Sequence, residues 1–321
     1  MDNQKYPKIG KLEKIFHFFV AFPQVKLAQI KEELSFTDNE VLALIDELKR
    51  MGLIINYSNG CFNLQSSIDA IDVKYLADKL KNKHIPLALN YFFSLPSTND
   101  FAIKSKKAGI YLCEYQSKGH GKQNAKWLAP IGQAITLSLC YEWLIDYDAL
   151  QGLNIAIGVA IINTAQKFNQ QQLGLKWSND VFLDNAKVAG ILINIQPNKE
   201  IKHITIGIGI NWNLSKATLN TIEQKCSNIN IKTITRTEFI AQLISEVDKI
   251  MFDFKHNQLK NILPIWQKHD ICQNKSVTIT QANKTWKSCY LGVNSQGLVV
   301  LENKNKAKKG NYLLASGSIS L

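Results

Sequence analysis

Cysteine is scarce in this chain of 321 residues. The six present, at positions 61, 113, 140, 226, 272 and 289, form no Cys-x-x-Cys pair and no neighbouring Cys/His spacing that would ligate zinc. A disulfide-stapled scaffold and a zinc finger are thereby set aside, and the usage fits a reducing compartment. Long apolar runs are missing too: none approaches the roughly 20 residues that span a bilayer. The first 14 residues are polar and charged, without the apolar stretch of a secretory signal. The expectation is a cytoplasmic protein with no membrane partner. Acidic residues are outnumbered, 26 against 38 Lys and Arg, giving a formal net charge of +12. That excess invites an acidic or nucleic-acid partner. Lys, Ile and Asn are abundant along the whole chain, however, so charge alone does not choose. The length and a hydrophobic content of 45% suit a soluble protein of two or three domains.

What is present is organised around residues 114–127, Glu-Tyr-Gln-Ser-Lys-Gly-His-Gly-Lys-Gln-Asn-Ala-Lys-Trp. An aromatic-flanked strand runs into a loop holding Gly119, His120, Gly121, Lys122 and Lys126, and Trp127 closes it. Glycine lets backbone approach a ligand closely. Lysines and free amides in such a concavity suit a phosphate or carboxylate. Neither Gly-x-x-x-x-Gly-Lys-Ser/Thr nor a full Gly-x-Gly-x-x-Gly is there, since position 124 is Asn. A solvated basic surface loop is the competing reading.

Residues 1–66 read as three helices and a hairpin. Leu12, Ile15, Phe16 and Phe19 recur at helical spacing, as do Leu27, Ile30 and Leu34. Thr37 and Glu40 form a capping box for a third helix that stops at Gly52. Asn59-Gly60 then splits two short strands. This is the pattern of a winged helix-turn-helix. Its third helix would lead into a DNA groove with Asp38, Asn39 and Glu40, which phosphates repel. Those acids also suit the positive end of the helix dipole, so DNA binding stays open. A Lys-rich helical connector, residues 67–84, leads to a central unit at 85–269. There Ser97-Thr98-Asn99 caps a helix, residues 131–143 read as a strand and 153–168 as an apolar helix. Strands follow at 174–177, 187–195 and 203–211, so the expectation is a mixed sheet backed by helices. Residues 213–235 are polar with weak periodicity, and 239–254 form an amphipathic helix. From 270 to 321 short strands separated by Gly292, Gly297 and Gly310 indicate a small barrel or sandwich.

Five motifs fall in a fixed order: Ser97-Thr98-Asn99, the loop, Lys176-Trp177-Ser178-Asn179-Asp180, Lys187-Val188-Ala189-Gly190-Ile191-Leu192, and Gly207-Ile208-Gly209-Ile210-Asn211. In that order and spacing they resemble the biotin protein ligases, specifically the bacterial bifunctional type that doubles as biotin operon repressor. The resemblance covers nearly the whole chain. It is loosest in the loop, where His120, Lys122, Asn124 and Ala125 replace the family's Arg, Arg, Gly and Arg. It implies an α+β multidomain fold: a winged helix-turn-helix, a central class II synthetase-like sheet and an SH3-like C-terminal barrel. The aligned repressor helix usually carries Arg and Lys where this chain has Asp38 and Ala43.

The resemblance also implies the chemistry. Biotin would lie against Ser97, Thr98, Asn99, Gln116, Gly119, His120, Gly121, Lys122 and Lys187. ATP and the adenylate would meet Lys122, Lys126, Trp127, Lys176, Asn179, Asp180 and Asn211. Biotin carboxylate attacks the α-phosphorus of ATP, and an acceptor lysine then attacks the mixed anhydride. Lys187 and Lys122 would stabilise developing charge, Asp180 would orient or deprotonate the acceptor amine, and Mg²⁺ would bridge phosphates with Asp180 and Asn211 as candidate ligands. Lys176 and Asp180, four apart, could equally be a structural ion pair. The implied partners are a biotin carboxyl carrier protein, operator DNA, and a second copy pairing along residues 189–195, between Ala189 and Ile195. A biotin-binding regulator without ligase activity and a lipoate-type ligase remain alternatives, although the Arg-Arg-x-Ser-Gly-Gly-Gly-x-Val stretch of lipoate ligases is missing. The segment 213–235 would close over the adenylate, and the loop, with little to hold it, is expected to be mobile until an anion binds.

Overall fold

The computed structural model describes residues 10–196, 201–282, 284–303 and 311–320. Gly310, read above as a turn, and the polar residues 1–9 lie outside them.

The N-terminal unit comprises α1 (Lys11–Ala21), β1 (Gln24–Lys26), α2 (Leu27–Leu34), α3 (Asp38–Arg50), β2 (Ile55–Ser58) and β3 (Cys61–Leu64). One apolar face per helix makes its core, with Ile15, Phe16, Phe19, Ile30, Val41, Ile45 and Leu48 buried. Glu40 at the start of α3 accepts from the Thr37 amide at 2.8 Å. A hydrogen bond from Lys11, with those from Thr37, holds the Glu40 carboxyl down at about 2. Asn59 and Gly60 both take positive φ, 51° and 73°, as a two-residue turn between right-twisted strands requires. Strand β1 escapes sequence reading: three residues after Pro23 are too few to show alternation. It pairs with β3, giving the order β1-β3-β2.

The central unit holds α4 (Val73–Asn82), β4 (Leu89–Leu95), α5 (Thr98–Ser105), β5 (Gly109–Gln116), β6 (Ala134–Leu144), α6 (Leu153–Gln166), β7 (Leu173–Lys176), β8 (Asp180–Leu183), β9 (Ala186–Gln196), β10 (Ile201–Asn211), α7 (Lys216–Asn220), α8 (Arg236–Asn257) and α9 (Leu263–His269). Seven strands form one mixed sheet, β4-β5-β6-β10-β9-β8-β7, parallel at β4/β5 and antiparallel elsewhere. Helix α6 is apolar all round because it is enclosed on nearly all sides. Residues 67–84 are no free link: Ile71, Leu76 and Leu80 are buried in the same core as the sheet. The helix there starts at Val73, capped by Asp72, six residues into that stretch.

A fully buried ion pair ties four segments together. Glu114 on β5 meets Arg236 at the start of α8, and the Ile71 amide donates to its other oxygen at 2.6 Å. Arg236 also donates to the Ala134 carbonyl on β6 at 2.9 Å. Buried charges are tolerated where such hydrogen bonds accompany the pair.

The C-terminal unit, β11 (Lys275–Gln281), β12 (Lys284–Val293), β13 (Val299–Leu301), β14 (Tyr312–Leu314) and β15 (Ser318–Ser320), is an antiparallel sheet ordered β14-β13-β12-β11-β15. Strand β15 is hidden in the sequence because only Ile319 between its two serines is apolar and buried. The units share buried surface. Ile131 completes the N-terminal core, while Val277, Ile279 and Tyr290 join the central one.

Candidate active site

The motifs lie apart in sequence but meet on one cleft, roughly 1240 Å³, between the sheet and the C-terminal unit. Each element delivers its residues for a local reason. Ser97 caps α5, its hydroxyl accepting the Asp100 amide at 3.2 Å, which turns Thr98 and Asn99 inward, where both are buried. Gln116, at the end of β5, accepts from the Thr98 amide at 2.7 Å and from its hydroxyl at 3.0 Å. Asn99 accepts from Asn194 at 2.7 Å. Asn194, invisible as a site residue in the sequence, therefore orients one that was legible.

Trp127 has a prepared seat. Gly190 on β9 and Gly209 on β10 are direct cross-strand partners, and the indole rests on the bare patch they leave. A Cβ at 209 would stand 2.5 Å from the ring, and one at 190 would stand 3.2 Å away. Lys187 Nζ lies 5.8 Å from the same ring centroid, within the range of a cation–π contact. The Trp127 Nε1–H is buried without a hydrogen-bond partner.

Asp180 pairs with Lys187 rather than with Lys176, which corrects the ion pair considered from the sequence. Lys187 Nζ is 2.8 Å from Asp180 Oδ1. The contact is one of charge, since Oδ1 lacks a hydrogen bond of good geometry. Lys176 instead lies over the Phe182 ring at 5.2 Å. Strands β8 and β9 explain the choice: they pair from Asp180 to Ala186 with a bulge between Val181 and Phe182, and Lys187 and Asp180 face the same cleft.

Across from this pair stands Lys122, whose Nζ donates to Ser178 Oγ at 2.6 Å. Burial of its ammonium end pulls the Lys122 pKa down; the Asp180 carboxylate raises it and the Lys187 charge lowers it further. His120 Nε2 is 3.1 Å from both Asp100 oxygens, so Asp100 competes with any ligand anion for this ring. Lys126, Gly121, Asn179 and Asn211 also line the cleft. Gly119 does not; its carbonyl accepts the Trp127 amide at 2.9 Å from behind. Asn211 spends its amide on the Lys187 and Ser227 carbonyls at 3.3 and 3.1 Å, leaving Oδ1 as the atom that could meet a cation.

Two polar stretches carry more main-chain structure than their composition shows. The loop is internally held: Gly121 donates to Ala125 at 2.7 Å, Ala125 to Lys122 at 3.1 Å, and His120 bridges Lys126. Asn124 has φ 58°, a left-handed conformation that Asn accepts better than most residues, so it can stand where relatives have glycine. The polar segment 213–235 is structured as well. It contains α7, and Lys187 exchanges backbone hydrogen bonds of 3.0 Å with Lys225 and Ser227. Main-chain pairing of this kind leaves no side-chain periodicity to read.

Residues 91–211, which carry most of this constellation, match the biotin/lipoate A/B protein ligase family. Over that stretch the chain is similar to the family. The chain is 24% identical over 282 residues to the bifunctional ligase/repressor BirA of Escherichia coli, covering 85% of this chain and 87% of that protein. It is 23% identical over 205 residues to the Bacillus spizizenii protein of the same name, with 62% and 63% covered. In fold it resembles the biotin protein ligase of Aquifex aeolicus, solved in complex with biotin and ATP, at 20% identity and TM-score 0.61 over 73% of this chain and 97% of that one. The family match thus runs from within β4 to the end of β10 at Asn211. It leaves the N-terminal unit, segment 213–235 and the C-terminal sheet outside, although the last two also line the cleft.

Proposed function

We propose that this protein is a biotin protein ligase that makes biotinyl-5′-AMP from biotin and ATP, then transfers biotin to a lysine of a biotin carboxyl carrier protein. The observation that carries this is the convergence of Lys187, Asp180 and Lys122 on a cleft whose other end is lined by Ser97, Thr98, Asn99 and Gln116. One end is polar, neutral and buried, suited to an uncharged ureido head; the other offers two ammonium groups for carboxylate and phosphate oxygens. In the first step a carboxylate oxygen bonds to the α-phosphorus and pyrophosphate leaves. Lys187 and Lys122 offset the charge on the non-bridging oxygens. In the second, the acceptor amine attacks the acyl carbon, AMP leaves and the amine loses a proton. Asp180, already neutralised by Lys187, is better placed to orient that amine than to take its proton. Among the described residues no cluster of three His, Cys, Asp or Glu could hold a metal. Mg²⁺ would therefore enter with the ATP phosphates, with Asp180 and Asn211 Oδ1 as the protein's contributions.

The N-terminal unit, three helices over a three-stranded sheet, supports a winged helix-turn-helix, and the C-terminal sheet an SH3-like barrel. Operator binding is the weaker part of the reading. Asp38 and Glu40 at the leading end of α3 are paired with Lys31 and Lys11, so the acids are partly offset, but no arginine or lysine leads. A homodimer through β9 has about half the edge expected: β8 covers β9 from Ala186 to Gly190 and Asn179 takes the Ile191 amide and carbonyl, leaving the part beyond 191 for a second copy. The test is single-turnover formation of biotinyl-5′-AMP by purified protein, followed by transfer to a carrier domain. Adenylation of lipoate or octanoate in preference to biotin would make it a lipoate-type ligase. Biotin binding without adenylate would make it a regulator.

A further inference from the structure

Ser178 sits in the Lys-Trp-Ser-Asn-Asp turn and has no role in the chemistry derived above, yet its surroundings fix it on every side. Its carbonyl accepts from Asn154 on α6. Its hydroxyl donates to Asn179 Oδ1 at 2.8 Å, and Asn179 Nδ2 donates to the Ile191 carbonyl on β9 at 3.1 Å. The Ile191 amide in turn donates to the Asn179 carbonyl at 2.9 Å. Directions along this chain are forced. The Ile191 carbonyl can only accept, so the Asn179 NH₂ faces it and the Asn179 oxygen faces Ser178. The single hydroxyl proton of Ser178 is thereby committed to Asn179, and its oxygen is left as an acceptor. Lys122 Nζ occupies that acceptor position at 2.6 Å, across 56 residues of sequence.

We propose that Ser178 is a positioning residue: a fixed acceptor, wired to β9 and α6, on which the loop docks Lys122 beside the Asp180–Lys187 pair before nucleotide arrives. This rests on the ligase reading and adds to it. A lysine loop carries no bidentate guanidinium to set its own geometry, and a flexible four-carbon stem loses rotamer freedom when it binds. A post that already holds the ammonium in the ligand-free protein removes part of that cost from ATP binding and from retention of the intermediate. The neutral end of the cleft, at Ser97 to Asn99, is untouched by it. Biotin alone meets Lys122 only through its carboxylate, so the signature is graded: ATP and adenylate are affected more than biotin.

The experiment compares wild type, Ser178→Ala, Ser178→Thr, Lys122→Ala and the Ser178→Ala/Lys122→Ala double variant. KM for ATP, Kd for biotin alone and the rate of biotinyl-5′-AMP release are measured on the full chain. Hydrogen bonds to charged groups at partly exposed sites lead us to expect Ser178→Ala to raise KM for ATP and the release rate roughly five- to tenfold. Kd for biotin should change by less than about twofold, Ser178→Thr should recover most of the loss, and Ser178→Ala should add less than about twofold once Lys122 is gone. A Ser178→Ala effect of the same size with and without Lys122, or one shared equally by biotin, would make Ser178 merely structural and overturn the proposal, as would no effect at all. Absence of adenylate from wild type would remove the ligase reading itself, which is a different failure.

Discussion

Replacing Gly209 by alanine adds one methyl group at the seat of Trp127, and the structure sets the size of the disturbance. The new Cβ would stand 2.5 Å from Trp127 Cε2 and 2.8 Å from Cζ2 and Nε1. Carbon atoms in contact settle at about 3.5 to 4.0 Å, so the indole must retreat by about 1 Å or more. β10 cannot yield, because it is paired along its length with β6 and β9. Trp127 can, because it is only half-buried and faces the cleft. The ring should therefore move toward the ligand space and carry the Lys187 contact with it. Overpacking of this kind costs about 1 to 3 kcal/mol, and here most of it should appear as lost transition-state binding. The adenylation rate should fall at least about tenfold, each tenfold being about 1.4 kcal/mol, with only a small drop in Tm. Gly190→Ala, with its Cβ 3.2 Å from the ring, should do less. Trp127→Ala in the Gly209→Ala background should restore Tm but not activity. Single-turnover adenylation beside thermal denaturation reads both arms. A Gly209→Ala protein that adenylates at the wild-type rate, or a Gly190→Ala protein that is worse, would refute the account.

Lys187→Ala should cut adenylation by about 10² to 10³-fold, the loss typical of a donor to developing charge, while circular dichroism stays native; near-native adenylation would remove Lys187 from the mechanism. Glu114→Gln leaves the Arg236 guanidinium buried without its counter-charge and should cost about 3 to 5 kcal/mol, read from denaturant midpoints; a shift near zero would mean the pair is hydrated. The depressed Lys122 amine should lose its proton at lower pH than an ordinary lysine. KM for ATP should thus climb as pH rises through the range below lysine's usual pKa, and Lys122→Arg, always charged, should stay flat; coinciding profiles would count against it. With biotin and ATP the protein should bind its own promoter DNA only weakly. Asp38→Arg with Ala43→Lys should strengthen duplex binding and steepen its salt dependence, and tight sequence-specific binding by wild type would contradict the acidic-helix reasoning.

Much of this protein was legible before any coordinates because it is written in local chemistry. The Thr37/Glu40 box, the Asn59-Gly60 turn, the Ser97 cap and the apolar run of α6 are decided by neighbours within a few residues, so they survive as sequence signals. The ordered motifs were legible for the same reason: each sits at an element end that its own residues specify. Burial against distant partners left no such trace. β1 and β15 are strands only because β3 and β11 lie alongside, and three residues cannot show a period.

Tertiary structure alone chose the partner of Asp180. Lys176 and Lys187 are both lysines near it in sequence, and which one it meets depends on how β8 bulges against β9. The same holds for Gly190 and Gly209, whose pairing across two strands makes a seat that neither motif reveals separately. Asn194 and Ser178 were passed over because each touches its site residue from another strand or from a loop 56 positions away. A sequence records what a residue is and what stands beside it; which side chains share a cleft is fixed by strand register and sheet order, and those depend on the whole core closing at once.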